Sequence, residues 1–222
     1  MKYSFVIPVH NEEKNIGYLL EYIICNFRDS EIIVVDAGST DKTMDTLKMY
    51  NDIKIEETFY TQDGYMRSIM IGVKKAANDY IFCIDGDGQY LPDEEHLQKD
   101  EIVSGRKFLR EDPFIRIVVS SIGNWLSSII FSSKINDKNC GYKVFHKDMI
   151  PLLEEVRYFK YSPWAEFILR AERHGIKIKE IPVVHYKRLH GKSRLMNSIL
   201  KMMISNGIAG IRLWLEFRRN RK

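Results

Sequence analysis

Apolar residues arrive in short dense runs, separated by longer stretches in which they recur every three or four positions. The first run, residues 3–8, is β-branched and aromatic and reads as a strand. Beyond it Ile16, Leu19, Leu20, Ile23, Ile24 and Phe27 keep helical spacing. Asn11 is placed to cap that helix, with Glu12 and Glu13 in its first turn, where acidic groups suit the helix dipole. Residues 31–36 are apolar on both faces, as a central parallel strand should be. Gly38-Ser39-Thr40 then turns the chain into a second helix over residues 41–50, followed by a short strand at 53–56 and a third helix at 66–77. The apolar run 80–84 is the next strand, closed by Asp85-Gly86-Asp87-Gly88-Gln89. This βαβαβ alternation predicts a doubly wound, Rossmann-like and mostly parallel sheet flanked by helices.

The C-terminal part changes character. Met196, Leu200, Met203, Gly207, Ile211 and Trp214 form one apolar helical face, opposed by Ser198, Lys201, Ser205, Arg212 and Glu216. A basic cluster of Arg218, Arg219, Arg221 and Lys222 follows. The chain therefore divides into a body, residues 1–194, and a basic amphipathic helical appendage, residues 195–222. The net charge of +4 is uneven: residues from His185 onward carry +9, leaving the rest at −5. Basic residues interleaved with large apolar ones, and a Trp among them, point to an anionic membrane surface, with no nucleic-acid partner expected. The stretch 113–131 is similarly apolar and is read as sharing that surface or as a buried helix. No uninterrupted apolar span of about 20 residues occurs, so a peripheral placement is expected rather than a transmembrane one. Cys25, Cys83 and Cys140 are odd in number and widely spaced, which fits a reducing compartment better than a disulfide framework.

The candidate chemistry sits at strand ends. Pro8, Asn11 and Glu12 follow the first strand, Asp36 ends the second, and Asp85 and Asp87 end a later one. In open parallel sheets ligands bind at the carboxyl ends of strands. Two carboxylates and the Gln89 carboxamide offer oxygen ligands suited to Mg²⁺ or Mn²⁺, which usually bridge to substrate phosphates. There is no Gly-x-Gly-x-x-Gly and no phosphate-binding loop ending in Gly-Lys-Ser/Thr. The six histidines show no metal-ligand spacing.

Ile7-Pro8-Val9-His10-Asn11-Glu12-Glu13, residues 34–43 (Val-Val-Asp-Ala-Gly-Ser-Thr-Asp-Lys-Thr) and Asp85-Gly86-Asp87 resemble family-2 glycosyltransferases of the GT-A fold. Gly105-Arg106, residues 137–143 (Asp-Lys-Asn-Cys-Gly-Tyr-Lys) and Arg188-Leu189-His190-Gly191-Lys192-Ser193 narrow the resemblance. They look like the dolichol- or polyprenyl-phosphate sugar synthase branch, the dolichol-phosphate mannosyltransferase-like enzymes, over nearly the whole chain to about residue 194. The resemblance implies that Pro8, Asn11, Glu12 and Asp36 hold the nucleoside, with Arg67 facing the nucleotide. Asp85, Asp87 and Gln89 would hold Mg²⁺ or Mn²⁺ against the donor diphosphate. Arg106 and the cluster Arg188, Lys192, Ser193 and Arg194 would clamp phosphates, a task suited to the planar guanidinium fork. Two departures stand out: Ala37 replaces a usual second Asp, and the stretch between Gln89 and Gly105 is short.

The implied reaction is an inverting, metal-dependent transfer of a sugar from GDP-mannose or a UDP-hexose to a polyprenyl or dolichyl phosphate, at the cytoplasmic face of the membrane. A phosphate acceptor is already largely dianionic at neutral pH, so it demands no strong general base. A hydroxyl acceptor would, and Glu166 is the candidate for that alternative. An ion pair with Arg170, four residues on, is the competing reading of Glu166. A nucleotide- or membrane-binding module without turnover is the third reading.

Overall fold

A computed structural model describes residues 1–59, 64–95, 98–108, 114–187 and 199–219. One mixed sheet organises them, with strands β1 (Tyr3–Val9), β2 (Glu31–Asp36), β3 (Lys54–Glu57), β4 (Tyr80–Cys83), β5 (Glu101–Phe108), β6 (Lys143–His146) and β7 (Lys177–Val184). Their spatial order is β3-β2-β1-β4-β6-β5-β7. The four strands β3, β2, β1 and β4 are parallel, as the alternation predicts. β6 then runs antiparallel to both β4 and β5, while β5 and β7 are again parallel.

Strand alternation splits the core into two layers. Phe5, Ile7 and Val9 of β1 face helix α1 (Ile16–Asn26) through Leu19, Leu20 and Ile23, while Val6 faces the opposite layer. That second layer holds Ile69 and Val73 of α3 (Gly64–Lys75), Leu152 and Leu153 of α5 (Ile150–Glu154), and Trp164 and Phe167 of α6 (Pro163–Arg173). α3 approaches the sheet closely because Gly72 has no side chain: a Cβ there would lie 2.3 Å from Val6 Cγ1.

Two helices are shorter than the sequence predicts. α1 begins at Ile16, so Glu12 and Glu13 precede it, and Asn11 adopts a left-handed φ of 57° instead of capping the helix. The Glu12 carbonyl accepts from the amides of both Asn15 and Ile16, which closes a turn before the helix starts. The second helix, α2 (Thr43–Leu47), is likewise shorter than residues 41–50. In both cases polar residues are drawn into bonds between loops, which compete with local helix formation.

Two long helices lie against the body. α7 (Ile199–Arg219) buries Ala209 and Leu213 against Phe159 and Leu169. Burying a leucine of this kind contributes roughly 1.5–3 kcal/mol. α4 (Phe114–Phe131) buries none of its residues, and is the one helix among the described residues long and apolar enough to cross a membrane. Arg116, four serines, Gly123 and Asn124 interrupt its apolar residues, so the sequence holds no unbroken apolar run there. α4 is fastened by the buried Lys138, whose ammonium donates to Asn124 O, Ser128 Oγ and Ile135 O.

Candidate active site

The loops that follow β1 and β2 are knitted together at the carboxyl edge of the sheet. Asn11 N donates to Ser39 Oγ, and Asn11 Oδ1 accepts from Thr40 N at 2.8 Å. Glu12 N donates to Thr43 Oγ1, and Glu13 Oε2 accepts from Lys42 N. Glu12 is buried and its Oε2 accepts from Asn15 Nδ2 at 2.7 Å. Asp36 is also buried, and Ser39 reaches it twice, through its amide at 3.0 Å and through its hydroxyl. These side chains thus shape the rim on which Pro8 sits, half-buried and in register with Val35. Arg67 is exposed and stacks its guanidinium 4.5 Å over the exposed Phe59 ring.

β4 delivers Asp85 and Asp87, both half-buried, beside this rim. Asp85 Oδ1 accepts from the Tyr65 hydroxyl at 2.7 Å. Burial, reinforced by the Asp85 charge, holds the Tyr65 hydroxyl's pKa well above the ordinary tyrosine value, so it stays protonated. On its other side Asp85 meets Gly141, where a Cβ would fall 2.0 Å from Oδ2. Asp87 Oδ1 accepts from Gln89 N at 3.2 Å. Gln89 joins this loop to the segment after β7: its Nε2 donates to Tyr186 O at 3.0 Å, and Tyr186 N donates to Gln89 O. Arg188, Lys192, Ser193 and Arg194, expected as the phosphate clamp, lie outside the described residues, but the segment that leads into them is tied to the Asp85–Gln89 loop.

The donor set fits a divalent cation of one kind. No group of three or more His, Cys, Asp or Glu side chains that could enclose a metal occurs among the described residues. Two carboxylates at an open rim match Mg²⁺ or Mn²⁺, which take one or two carboxylates and fill the remaining positions with water and substrate phosphate. The empty side-chain position at Gly141 is what lets the Asp85 carboxylate stand there.

Glu166 is fully buried and every lone pair it offers is used. Its Oε1 accepts from Arg157 N and from Arg170 Nε and Nη2, and its Oε2 from the amides of Tyr158 and Phe159. Arg170 continues to Glu216 of α7 at 2.8 Å and to Glu155 at 3.2 Å. Burial alone would raise the Glu216 carboxyl, but hydrogen bonds from Arg170, Arg157 and Tyr158 carry it from 4.5 down to about 2. Folded protein then binds fewer protons than unfolded protein between those values. The stabilisation from Glu216 is complete above about pH 5 and drains away as pH falls toward 2. Acidification through that window should therefore loosen α7, read as a change in Trp214 emission, and Glu216→Gln should remove that transition.

α4 and α7 form the walls of an apolar cleft of about 580 Å³, with Val119, Leu126 and Ile130 on one side and Met203, Ile211 and Trp214 on the other. Lys107, Asp137 and Asn139 are among the polar residues that line it. Lys107 Nζ lies 3.7 Å from Asp137 Oδ2, and Asn139 Oδ1 is buried without a hydrogen-bond partner among the described residues. The expected clamp residue Arg106 is exposed on β5, and strand alternation turns its neighbour Lys107 into the cleft. Residues 137–141 therefore serve two places at once: their start lines the cleft and their end packs on Asp85.

Tyr65, Trp164, Lys107 and Lys138 drew no role from the sequence. Tyr65 and Trp164 each stand two positions before a residue that did, Arg67 and Glu166, yet their bond joins positions 99 residues apart. The signal available was a buried polar aromatic, which usually finds a partner.

Residues 4–107 match the family model described as Glycosyl transferase family 2. Over 217 residues the chain is 27% identical to dodecaprenyl-phosphate galacturonate synthase of Rhizobium johnstonii, spanning 87% of this chain and 62% of that protein's length. It is 26% identical to a dolichyl-phosphate beta-glucosyltransferase of Trichomonas vaginalis, over 90% of this chain and 70% of that one. Among solved structures, glucosyl-3-phosphoglycerate synthase from Mycobacterium tuberculosis, in complex with Mn²⁺, uridine diphosphate and glucosyl-3-phosphoglycerate, superposes with a TM-score of 0.67. That match is 14% identical and covers 94% of this chain and 79% of the other. What is shared at that identity is the fold, the GT-A arrangement.

Proposed function

We propose, because residues 4–107 match the Glycosyl transferase family 2 model, that the protein transfers a hexose from a nucleoside diphosphate sugar to a polyprenyl phosphate, inverting the anomeric centre. The observation that carries this reading is the double use of residues 137–141, which line an apolar cleft at one end and pack on Asp85 at the other. A diphosphate held at Asp85 and Asp87 would lie beside a channel suited to a long hydrocarbon. The names of the two relatives, a dodecaprenyl-phosphate and a dolichyl-phosphate enzyme, support the same acceptor class. Their sugars, galacturonate and glucose, together with the uridine diphosphate in the structural neighbour, put UDP-hexoses ahead of GDP-mannose as donors to try.

The chain's own residues divide the work. Asp85 and Asp87 would hold Mg²⁺ or Mn²⁺, which when bound supplies Lewis acidity to the leaving diphosphate. The rim of Pro8, Asn11, Glu12 and Asp36 shapes the nucleoside end, with Arg67 beside it. Lys107 and Arg116, which line the cleft, supply positive charge where two anions must meet, and the phosphate-clamp roles of Arg106, Arg188, Lys192, Ser193 and Arg194 are part of the same proposal. An acceptor phosphate oxygen forms the new bond to the anomeric carbon as the bond to the diphosphate oxygen breaks, and no proton need be removed from the acceptor. Glu166 is not placed to act as a base, since Arg170 and three backbone amides occupy its carboxylate.

The exposed apolar residues of α4 (Phe114, Trp125, Ile129) and α7 (Leu200, Ile204, Ile211) support attachment to a membrane at its cytoplasmic face. Transfer of labelled sugar from UDP-glucose, UDP-galacturonate, UDP-N-acetylglucosamine or GDP-mannose, with Mn²⁺, tests the reading. Label should enter the butanol phase only when a polyprenyl phosphate is added. Transfer to water-soluble glycans in its place would replace the lipid acceptor with a hydroxyl one.

A further inference from the structure

Behind Asp85 stand two hydrogen bonds whose direction is fixed by chemistry and not by where hydrogens are placed. Trp164 Nε1 lies 2.7 Å from the Tyr65 hydroxyl oxygen, and an indole nitrogen can only donate. The same oxygen lies 2.7 Å from Asp85 Oδ1, and a carboxylate can only accept. With a lone pair taken by the indole, the single hydroxyl proton points at Asp85. Trp164 is itself immobilised in the core. It is 1% exposed, with Phe167 and Phe145 at 5.7 and 6.4 Å between ring centroids, Tyr65 at 6.5 Å, and the Lys143 ammonium 5.7 Å from its ring. It sits in the first turn of α6, just after Pro163.

We infer that Tyr65, held by Trp164, is a positioning residue that locks the Asp85 carboxylate with Oδ1 engaged, leaving Oδ2, which takes no hydrogen bond among the described residues, to a divalent cation. This rests on Asp85 being a cation ligand. A carboxylate free to rotate presents either oxygen and loses that freedom on binding, whereas one already bonded at Oδ1 has lost it beforehand. Partners of this kind, which touch the ligand and not the metal, change metal affinity by about 10–100-fold. Tyr65 is thereby linked to α6, the helix whose Arg170 grips Glu216 of α7.

The test is Mn²⁺ binding to the full chain in the presence of uridine diphosphate, read from the electron paramagnetic resonance signal of free Mn²⁺. Asp85→Asn should lose the tight site. Tyr65→Phe, which deletes one oxygen and keeps the ring against Trp164, should raise the Mn²⁺ dissociation constant roughly tenfold. Trp164→Phe should raise it less, and the double substitution should match Tyr65→Phe alone, because the indole reaches Asp85 only through the hydroxyl. Loosened packing would behave differently, with the two effects multiplying. Multiplying effects overturn the positioning role, and so does an unchanged Tyr65→Phe beside a defective Asp85→Asn. Equal Mn²⁺ binding by Asp85→Asn and the unsubstituted protein overturns the cation site itself, and the role of Tyr65 with it.

Discussion

Asp85→Asn should lower kcat/KM on the order of 10³-fold while leaving the thermal midpoint within a few degrees of the parent, an effect the size of losing one preorganised electrostatic group. The substitution keeps the shape of the side chain and an oxygen to accept the Tyr65 proton, so the bond behind it survives. Its new amide would face Gly141, which has no side chain to clash with it. What goes is the negative charge at the rim, and with it the attraction for a cation that must neutralise a leaving diphosphate. Steady-state rates at several Mn²⁺ concentrations, beside a melting curve, separate the two effects. A loss below tenfold would remove Asp85 from the reaction.

Glu166→Gln should do the reverse. Its thermal midpoint should fall by roughly 10 °C, as expected for unpairing a buried ion pair at a cost of about 3–5 kcal/mol. Neither orientation of the glutamine escapes the problem. Oε1 faces Arg157 N and the Arg170 guanidinium, and Oε2 faces the amides of Tyr158 and Phe159, so an NH₂ at either position meets donors. Turnover per folded molecule should nonetheless stay within about threefold, whereas removal of a general base costs about 10²–10⁴-fold. Measuring kcat well below the melting transition, against active-enzyme concentration, distinguishes the two. A drop of orders of magnitude would restore the hydroxyl-acceptor reading.

The parts of the fold legible in the sequence were those governed by local periodicity. Residues 31–36 announced a central strand because both faces were apolar, and β2 is flanked by parallel neighbours on either side. The apolar spacing of α1 identified its buried face, with Ile16, Leu19, Leu20 and Ile23 all inside. Its start was not legible, because Asn11 and Glu12 bond to residues about 30 positions away, in the loop after β2. Strand direction at β6 was equally hidden, since an apolar run has no sense of direction. At the site, Asp85 and Asp87 were visible as a pair, and Arg170 as the partner of Glu166 through i,i+4 spacing. The Glu216 contact and the Tyr65–Trp164 bond are tertiary, and no window of sequence contains them. The amides of residues 157–159 lie only seven to nine positions before Glu166, but a backbone donor leaves no mark in residue type.

α4 and α7 line the same cleft on unequal terms. α7 is anchored by Ala209 and Leu213 in a core cluster and by Glu216 on Arg170. α4 contributes no buried residue and is held by the Lys138 ammonium and by Phe131, whose ring packs 5.8 Å from that of Phe217 on α7. Parting α4 from the body uncovers no fully buried residue of α4, so by the rule that local opening follows buried contact it costs less than parting α7. The cleft thus has one wall tied into the core and one wall lying on the surface. A hydrocarbon chain of any length could be admitted sideways, past α4, without threading from an end, and chain length need not limit which acceptors enter.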